Sequence, residues 1–269
     1  MNEHFAESKA VTQARESRRK LITGLSLIGA STLIAGCKRQ NNSAPTVAQS
    51  PAKEEEMPEG ARDESDVSAT EDLMREHGVL RRALLVYHEA AIKLRDDSSS
   101  VPPEALEKVA QLFRTFGEDY HEKKLEEAFI FPALKKLQGP ATTYVDVLIA
   151  QHTRGREITD YVLATTAGDK FPSGSVKEFI NALESFVRMY EHHAALEDTI
   201  IFPAWKATLK EGELDDMGAR FEEIEQQQFG ADGFEAAVKR MGDIEESLGL
   251  ADLNLFTAPP APVTRGKSK

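Results

Sequence analysis

Cysteine is all but missing from this chain: Cys37 stands alone among 269 residues. A single thiol closes no disulfide within the chain and builds no cysteine metal site, which excludes disulfide scaffolds, iron–sulfur clusters and most structural zinc. Basic residues are also scarce, with 33 Lys and Arg against 45 Asp and Glu and a formal net charge of -12. Nucleic-acid binding needs a basic face to replace counterions, and no basic stripe exists outside the N-terminal stretch, so no nucleic-acid partner is expected. Long apolar runs are lacking too. The run from Leu21 to Ile34 falls well short of the ~20 residues that a bilayer-spanning helix needs. What remains is 41% apolar and 29% charged residues, an ordinary soluble composition able to bury a core.

The N-terminus is a separate object. SRRKLITGLSLIGASTLIAGC (17–37) puts Arg18 and Arg19 ahead of the apolar run and closes it with Ile34-Ala35-Gly36-Cys37. The arginine pair resembles the twin-arginine export motif, and the last four residues resemble the lipobox at which bacterial lipoproteins are cut and lipidated on the cysteine. Residues 1–37 are thus expected to be a signal peptide, with Cys37 lipidated and the exported chain anchored to a membrane on the periplasmic side. An uncleaved apolar anchor is the competing reading. Lys38, where an acidic residue could stand, favours the outer membrane in an organism that has one. Twin-arginine substrates are exported folded, which suits a protein whose metal is inserted first. Residues 38–69 are rich in Gln, Asn, Ser, Pro and Glu, cannot repay the entropy of ordering, and are expected to form a disordered tether.

From residue 70 the pattern turns helical. Ser68-Ala-Thr-Glu71 fits a capping box, and Leu73, His77, Leu80, Leu84 and His88 follow at helical spacing over a helix of about 70–97. Pro102 and Pro103 open a second helix that continues to Gly139-Pro140, a third is expected over 142–166, and a fourth over about 174–209. Long helices with short connections predict an all-α, up-down-up-down antiparallel four-helix bundle over 70–210. Residues 211–250 carry two amphipathic stripes, Leu214/Met217/Phe221/Ile224 and Phe234/Val238/Met241/Ile244/Leu248, and are expected to form two short extra helices on the bundle exterior. Residues 251–269 are expected to be a disordered tail.

The helices carry an internal repeat. YHEKKLEEAFIFPALK (120–135) and EHHAALEDTIIFPAWK (191–206) match with Glu126 on Glu197, Glu127 on Asp198 and Phe131-Pro132 on Phe202-Pro203. Residues equally distant from a connection of an antiparallel pair lie side by side, at ~1.5 Å per residue. By that measure His77, His121, His152 and His193 fall in one layer with Glu126 and Glu197, whereas His88, a further 11 residues along, does not. His193 and Glu197 are four apart, ~40° round a helix, and can face one centre. His121 and Glu126 are five apart, ~140°, and converge only if a π-bulge absorbs the extra residue. An ungapped alignment of the repeats sets His121 against His192, which therefore competes with His193. Pro132 and Pro203 either stop their helices or shape them.

These residues resemble the hemerythrin-like, or HHE cation-binding, family, through REHGVL around His77, YHEKKLEEAFIFPAL around His121, AQHTRGRE around His152 and HHAALEDTIIFPAW around His193. The resemblance covers roughly 70–210. It implies a non-haem, carboxylate-bridged pair of iron ions, with the four histidines as terminal ligands and Glu126 and Glu197 as bridges; zinc or manganese is not excluded by donor type. Arg156 stands where oxygen carriers place a fifth histidine, so a carrier's asymmetric iron pair is not evident. The resemblance implies binding or sensing of dioxygen, nitric oxide or peroxide. An enzyme breaking down peroxide or nitric oxide or oxidising iron, and a metal-free interaction module, are the rival readings. A ferritin-like oxidase needs Glu-x-x-His on two helices, and only Glu118/His121 supplies it.

Overall fold

A computed structural model describes residues 67–262, apart from Ser173, Glu211 and Ala231. The signal-peptide, lipobox and Cys37 expectations lie outside the described residues, as do most of the tether and residues 263–269. Among the described residues the chain is all-helical, with no strand, and no helix is long and apolar enough to cross a membrane.

Helix α1, Ala69–Asp96, begins on the expected capping box: the Glu71 N–H donates to Ser68 Oγ, and Ser68 N–H donates back to the Glu71 carboxylate at 3.0 Å. Such caps contribute ~1 kcal/mol and fix where the helix starts. Helix α2 covers 103–134 and opens with Pro103 in its first turn, where the missing N–H costs nothing. Its first stretch, Pro103–Leu112, is α-helical, Phe113–Ile130 is wound as a π-helix, and Phe131–Leu134 is α-helical again. Helix α3, Thr142–Thr166, has the predicted bounds. Helix α4 covers 176–206, with Val176–Leu196 α-helical, Glu197–Ile201 π-helical and Phe202–Lys206 α-helical.

The prolines explain part of this winding. Pro132 and Pro203 have no N–H, and their rings clash with the carbonyl four residues back, so a regular α turn cannot pass through them. Instead the residue just before each proline bonds five back: Phe131 N–H to the Glu126 carbonyl, and Phe202 N–H to the Glu197 carbonyl. Both helices then continue past the proline. These prolines widen a turn rather than ending a helix.

Helix α1 packs mainly on α4, and the first part of α2 packs on α3. The core between them holds Leu73, Leu80, Phe113, Phe116, Phe179 and Phe186, all 7% exposed or less. Helices α5, Glu213–Phe229, and α6, Gly233–Ser247, dock on the outside of α1 and α2. They bury Phe221, Ile224, Met241 and Ile244, with Phe221 stacked on Trp205 at 5.8 Å. The segment after α6 holds one exposed 3-10 turn, Leu253–Phe256.

Candidate metal centre

His77 on α1, His121 on α2, His152 on α3 and His193 on α4 are all buried and meet at one place. Their Nε2 atoms form two close pairs, His77 with His121 at 3.0 Å and His152 with His193 at 3.1 Å. Glu126 and Glu197, both 0% exposed, lie between the pairs. Glu126 presents one oxygen to His121 Nε2 and the other to His152 Nε2, each at 3.4 Å. Glu197 Oε2 lies 3.1 Å from His193 Nε2 and 3.5 Å from His77 Nε2. Each carboxylate therefore faces one histidine of each pair.

The far side of every ring is held. His77 Nδ1 meets Asp198 Oδ1 at 2.7 Å, His121 Nδ1 meets Glu76 Oε2 at 2.5 Å, and His152 Nδ1 meets Glu127 Oε1 at 2.8 Å. His193 Nδ1 meets Gln151 Oε1 at 2.9 Å. All four partners are acceptors, so each Nδ1 carries a proton; a neutral ring then turns its Nε2 lone pair inward, and at His121 the neighbouring carboxylates favour a second proton on Nε2 where a metal would otherwise sit. Two lone pairs facing each other at 3.0 Å repel unless a cation or a proton lies between them. None of the four oxygens of Glu126 and Glu197 has a hydrogen bond, and a buried acceptor left unpaired costs ~1–3 kcal/mol. Inward lone pairs plus orphaned carboxylate oxygens fit a metal ion's demand for imidazole and carboxylate donors.

The electrostatics agree. Burial lowers His77 and His152 to about 3 and also lowers His193, which favours the neutral, metal-ligating form. Burial pulls His121 down as well, but the carboxylates of Glu126 and Glu76 outweigh it and hold this ring well above the ordinary value. Burial, with Glu197 nearby, lifts Glu126 to about 7, and burial lifts Glu197 to about 8. On its own side chains alone the cage retains protons at sites a divalent cation would neutralise.

The winding of the helices accommodates both spacings. His121 and Glu126 lie within the π-helical stretch of α2, where each turn takes up an extra residue and a five-residue step returns to the same face. His193 lies in the α-helical part of α4, and the π turn begins only at Glu197, so four residues suffice there. His192 is exposed and takes no part. His88 is exposed as well.

Sequence reasoning missed the residues behind the rings. Glu127 and Asp198 were visible as a matched pair in the repeat, and each backs a histidine, His152 and His77 respectively. Glu76 and Gln151 carried no such signal beyond preceding His77 and His152 in the chain. Arg156 reaches Glu122 at 3.0 Å and Glu127 at 2.7 Å, so its guanidinium fills the acidic group beside His152. A cavity of about 20 Å³ opens into the cage: His77, His121, Glu126, His193 and Glu197 line it together with Leu80, Arg81, Leu84, Phe113, Glu122, Tyr190 and Ala194. Tyr190 Oη donates to Glu122 Oε1 at 2.7 Å. Its ring runs so close to α3 that a Cβ at Gly155 would stand 1.9 Å from Oη.

Comparison with known proteins bears on this arrangement. The sequence model of the hemerythrin HHE cation binding domain matches residues 68–205. Uncharacterized proteins of Mycobacterium bovis and Mycobacterium tuberculosis are each 45% identical over 195 residues, covering 72% of this chain and 75% of theirs. No solved structure matches.

Proposed function

We propose, since the chain belongs to the hemerythrin HHE cation-binding family, that its buried histidines and glutamates hold two iron ions and bind or sense a small ligand: dioxygen, nitric oxide or peroxide. In this reading α1 to α4 form the up-down-up-down antiparallel bundle. His77, His121, His152 and His193 are the terminal ligands, and Glu126 and Glu197 bridge. The observation that carries the proposal is the cage itself, four inward Nε2 atoms around four buried carboxylate oxygens that hydrogen-bond to nothing. In a metal-free interaction module those four oxygens are compensated only by protons that the buried carboxyls retain.

Iron, when bound, supplies Lewis acidity and redox chemistry next to the cavity. The protein's own residues do the rest. Asp198, Glu76, Glu127 and Gln151 orient the imidazoles, and Leu80, Leu84 and Phe113 give the cavity an apolar wall. The cavity of about 20 Å³ is lined by His77, His121, Glu126, His193 and Glu197 themselves, so a small ligand entering it would meet the metal position directly. The Tyr190 hydroxyl and Glu122 carboxyl at its wall favour a second reading, an enzyme that consumes peroxide or nitric oxide or oxidises ferrous iron. Export and anchoring through Cys37 belong to the same proposal, on the strength of Arg18, Arg19 and the Ile34–Cys37 motif.

Metal analysis and an optical spectrum of the purified protein test the reading. Two irons per chain and a near-ultraviolet band that shifts with azide are expected; protein isolated from iron-replete cells that holds no metal and takes none up would sink it. Spectral change in stoichiometric step with added ligand identifies a binder, and sustained consumption identifies an enzyme.

A further inference from the structure

The four imidazoles are not backed alike. Behind His77 stands Asp198, whose other oxygen is paired with Arg81, and behind His152 stands Glu127, which is paired with Arg156. In both cases an arginine offsets the carboxylate. Behind His121 stands Glu76, 1% exposed, whose second oxygen accepts only the Tyr120 hydroxyl at 2.9 Å. Among the described residues no lysine or arginine pairs with Glu76. Behind His193 stands Gln151, a neutral amide.

A carboxylate that accepts the Nδ1 proton pushes electron density onto Nε2 and makes the ring a better donor to a cation, whereas an amide does so much less. A buried carboxylate without a counter-cation acts most strongly, because low local polarity leaves its field unscreened. His121 is therefore the strongest nitrogen donor of the four and His193 the weakest. They belong to different Nε2 pairs, His77/His121 and His152/His193. The contrast between Glu76 and Gln151 thus acts on opposite halves of the cage.

From this we infer that the two metal positions are unequal: the His77/His121 position holds its ion more tightly and fills first, and Glu76 and Gln151 are the positioning residues that set the difference. The inference rests on the two-metal reading above; Glu126, His152, His193 and Glu197 cluster most tightly at one position and His77, His121 and Glu126 at the other, with Glu197 Oε2 3.5 Å from His77 Nε2, and the asymmetry behind the rings acts against that difference in donor number.

Anaerobic calorimetric titration of metal-free protein with ferrous iron tests it. Two equivalents are expected in two steps whose affinities differ ~10-fold or more, since a partner behind a ligating histidine is typically worth 10–100-fold in metal affinity. Glu76→Gln keeps the size of the side chain, its amide oxygen still accepting from His121 Nδ1 while its N–H donates to the Tyr120 hydroxyl; it should weaken the tighter step ~10–100-fold and leave the looser step in place. Gln151→Glu should tighten the looser step instead. Two equivalents entering in one indistinguishable step would overturn the inference while leaving the two-metal reading intact, and so would Glu76→Gln weakening both steps equally. Uptake of fewer than two equivalents overturns the two-metal reading and the inference with it. Should Glu76→Gln fail to fold, judged by its circular dichroism, the wild-type step separation and Gln151→Glu decide the matter.

Discussion

Replacing Gly155 with alanine sets two physical effects against each other. Gly155 lies inside α3, where helix propensity alone predicts that alanine stabilises by ~1 kcal/mol. The new Cβ, however, would stand 1.9 Å from Tyr190 Oη, 2.7 Å from Cζ and 2.9 Å from Cε2. Tyr190 cannot yield cheaply, because its ring is packed between Phe113 and Phe186 at 5.0 and 4.6 Å and touches His193 at 5.4 Å. Overpacking of this kind costs ~1–3 kcal/mol. Moving the hydroxyl also strips Glu122 Oε1 of its donor, a buried loss of ~1–3 kcal/mol. Net of the propensity gain, the expected destabilisation is about 3 kcal/mol, which at this chain size lowers Tm by ~6–12 °C. Thermal unfolding of the metal-free protein by circular dichroism measures it. Tyr190→Phe removes the closest clashing atom, so in the Gly155→Ala background it should return part of the lost Tm. A Gly155→Ala protein that melts at or above the wild-type temperature would refute the close packing of α3 against Tyr190.

Other outcomes follow from the same geometry. His192→Ala, at an exposed position, should change stability by less than ~0.5 kcal/mol and leave metal content unchanged. His193→Ala, by contrast, should lower metal content sharply; plasma emission analysis of the two variants separates them. Pro132→Ala restores an N–H and removes the clash that keeps the turn wide, so α2 can rewind toward α spacing and swing Glu126 away from His121. Ferrous-iron affinity should fall ~10-fold or more, since disturbing even a group that only orients a ligand costs that much, with Tm little altered. The stabilisation conferred by metal should grow between pH 6.5 and 8. Burial raises Glu126 and Glu197 to about 7 and about 8, so their contribution to the metal-free protein is full below the ordinary value of 4.5 and is lost as pH climbs through 7 and 8. His121, also raised, acts in the same direction. His77 and His152, lowered to about 3, act the other way, but only as pH falls below 6.5. Calorimetric melts of chelated and iron-loaded protein at pH 6.5 and 8 check this; a gain in Tm that shrinks with pH would contradict it.

Much of the candidate site was legible before any fold was known. His77, His121, His152 and His193 could be placed in one layer because rise per residue is nearly constant in a helix and short connections force neighbouring helices to pair. The His193–Glu197 spacing pointed at one face for the same reason. The five-residue His121–Glu126 step was less transparent. α and π turns differ by a single hydrogen-bond offset, and nothing local to the two residues announces which is adopted. The prolines at 132 and 203 were the visible trace of the widened turns, but a proline reads equally well as a helix end.

Composition and periodicity by themselves determined that this chain is helical, that its one cysteine can form no disulfide within the chain and no cysteine metal cluster, and which histidines and glutamates share a level. They do so because helical rise and apolar spacing are local properties, written in residues a few positions apart. Tertiary structure alone decided that His193 rather than His192 turns inward, since one residue is ~100° of rotation and the choice depends on how α4 is seated. It alone decided that Glu76 stands behind His121 and Gln151 behind His193, contacts across 45 and 42 residues of chain. Those pairings depend on the rotation of one helix against another, which packing of whole apolar faces sets and no short stretch of sequence encodes.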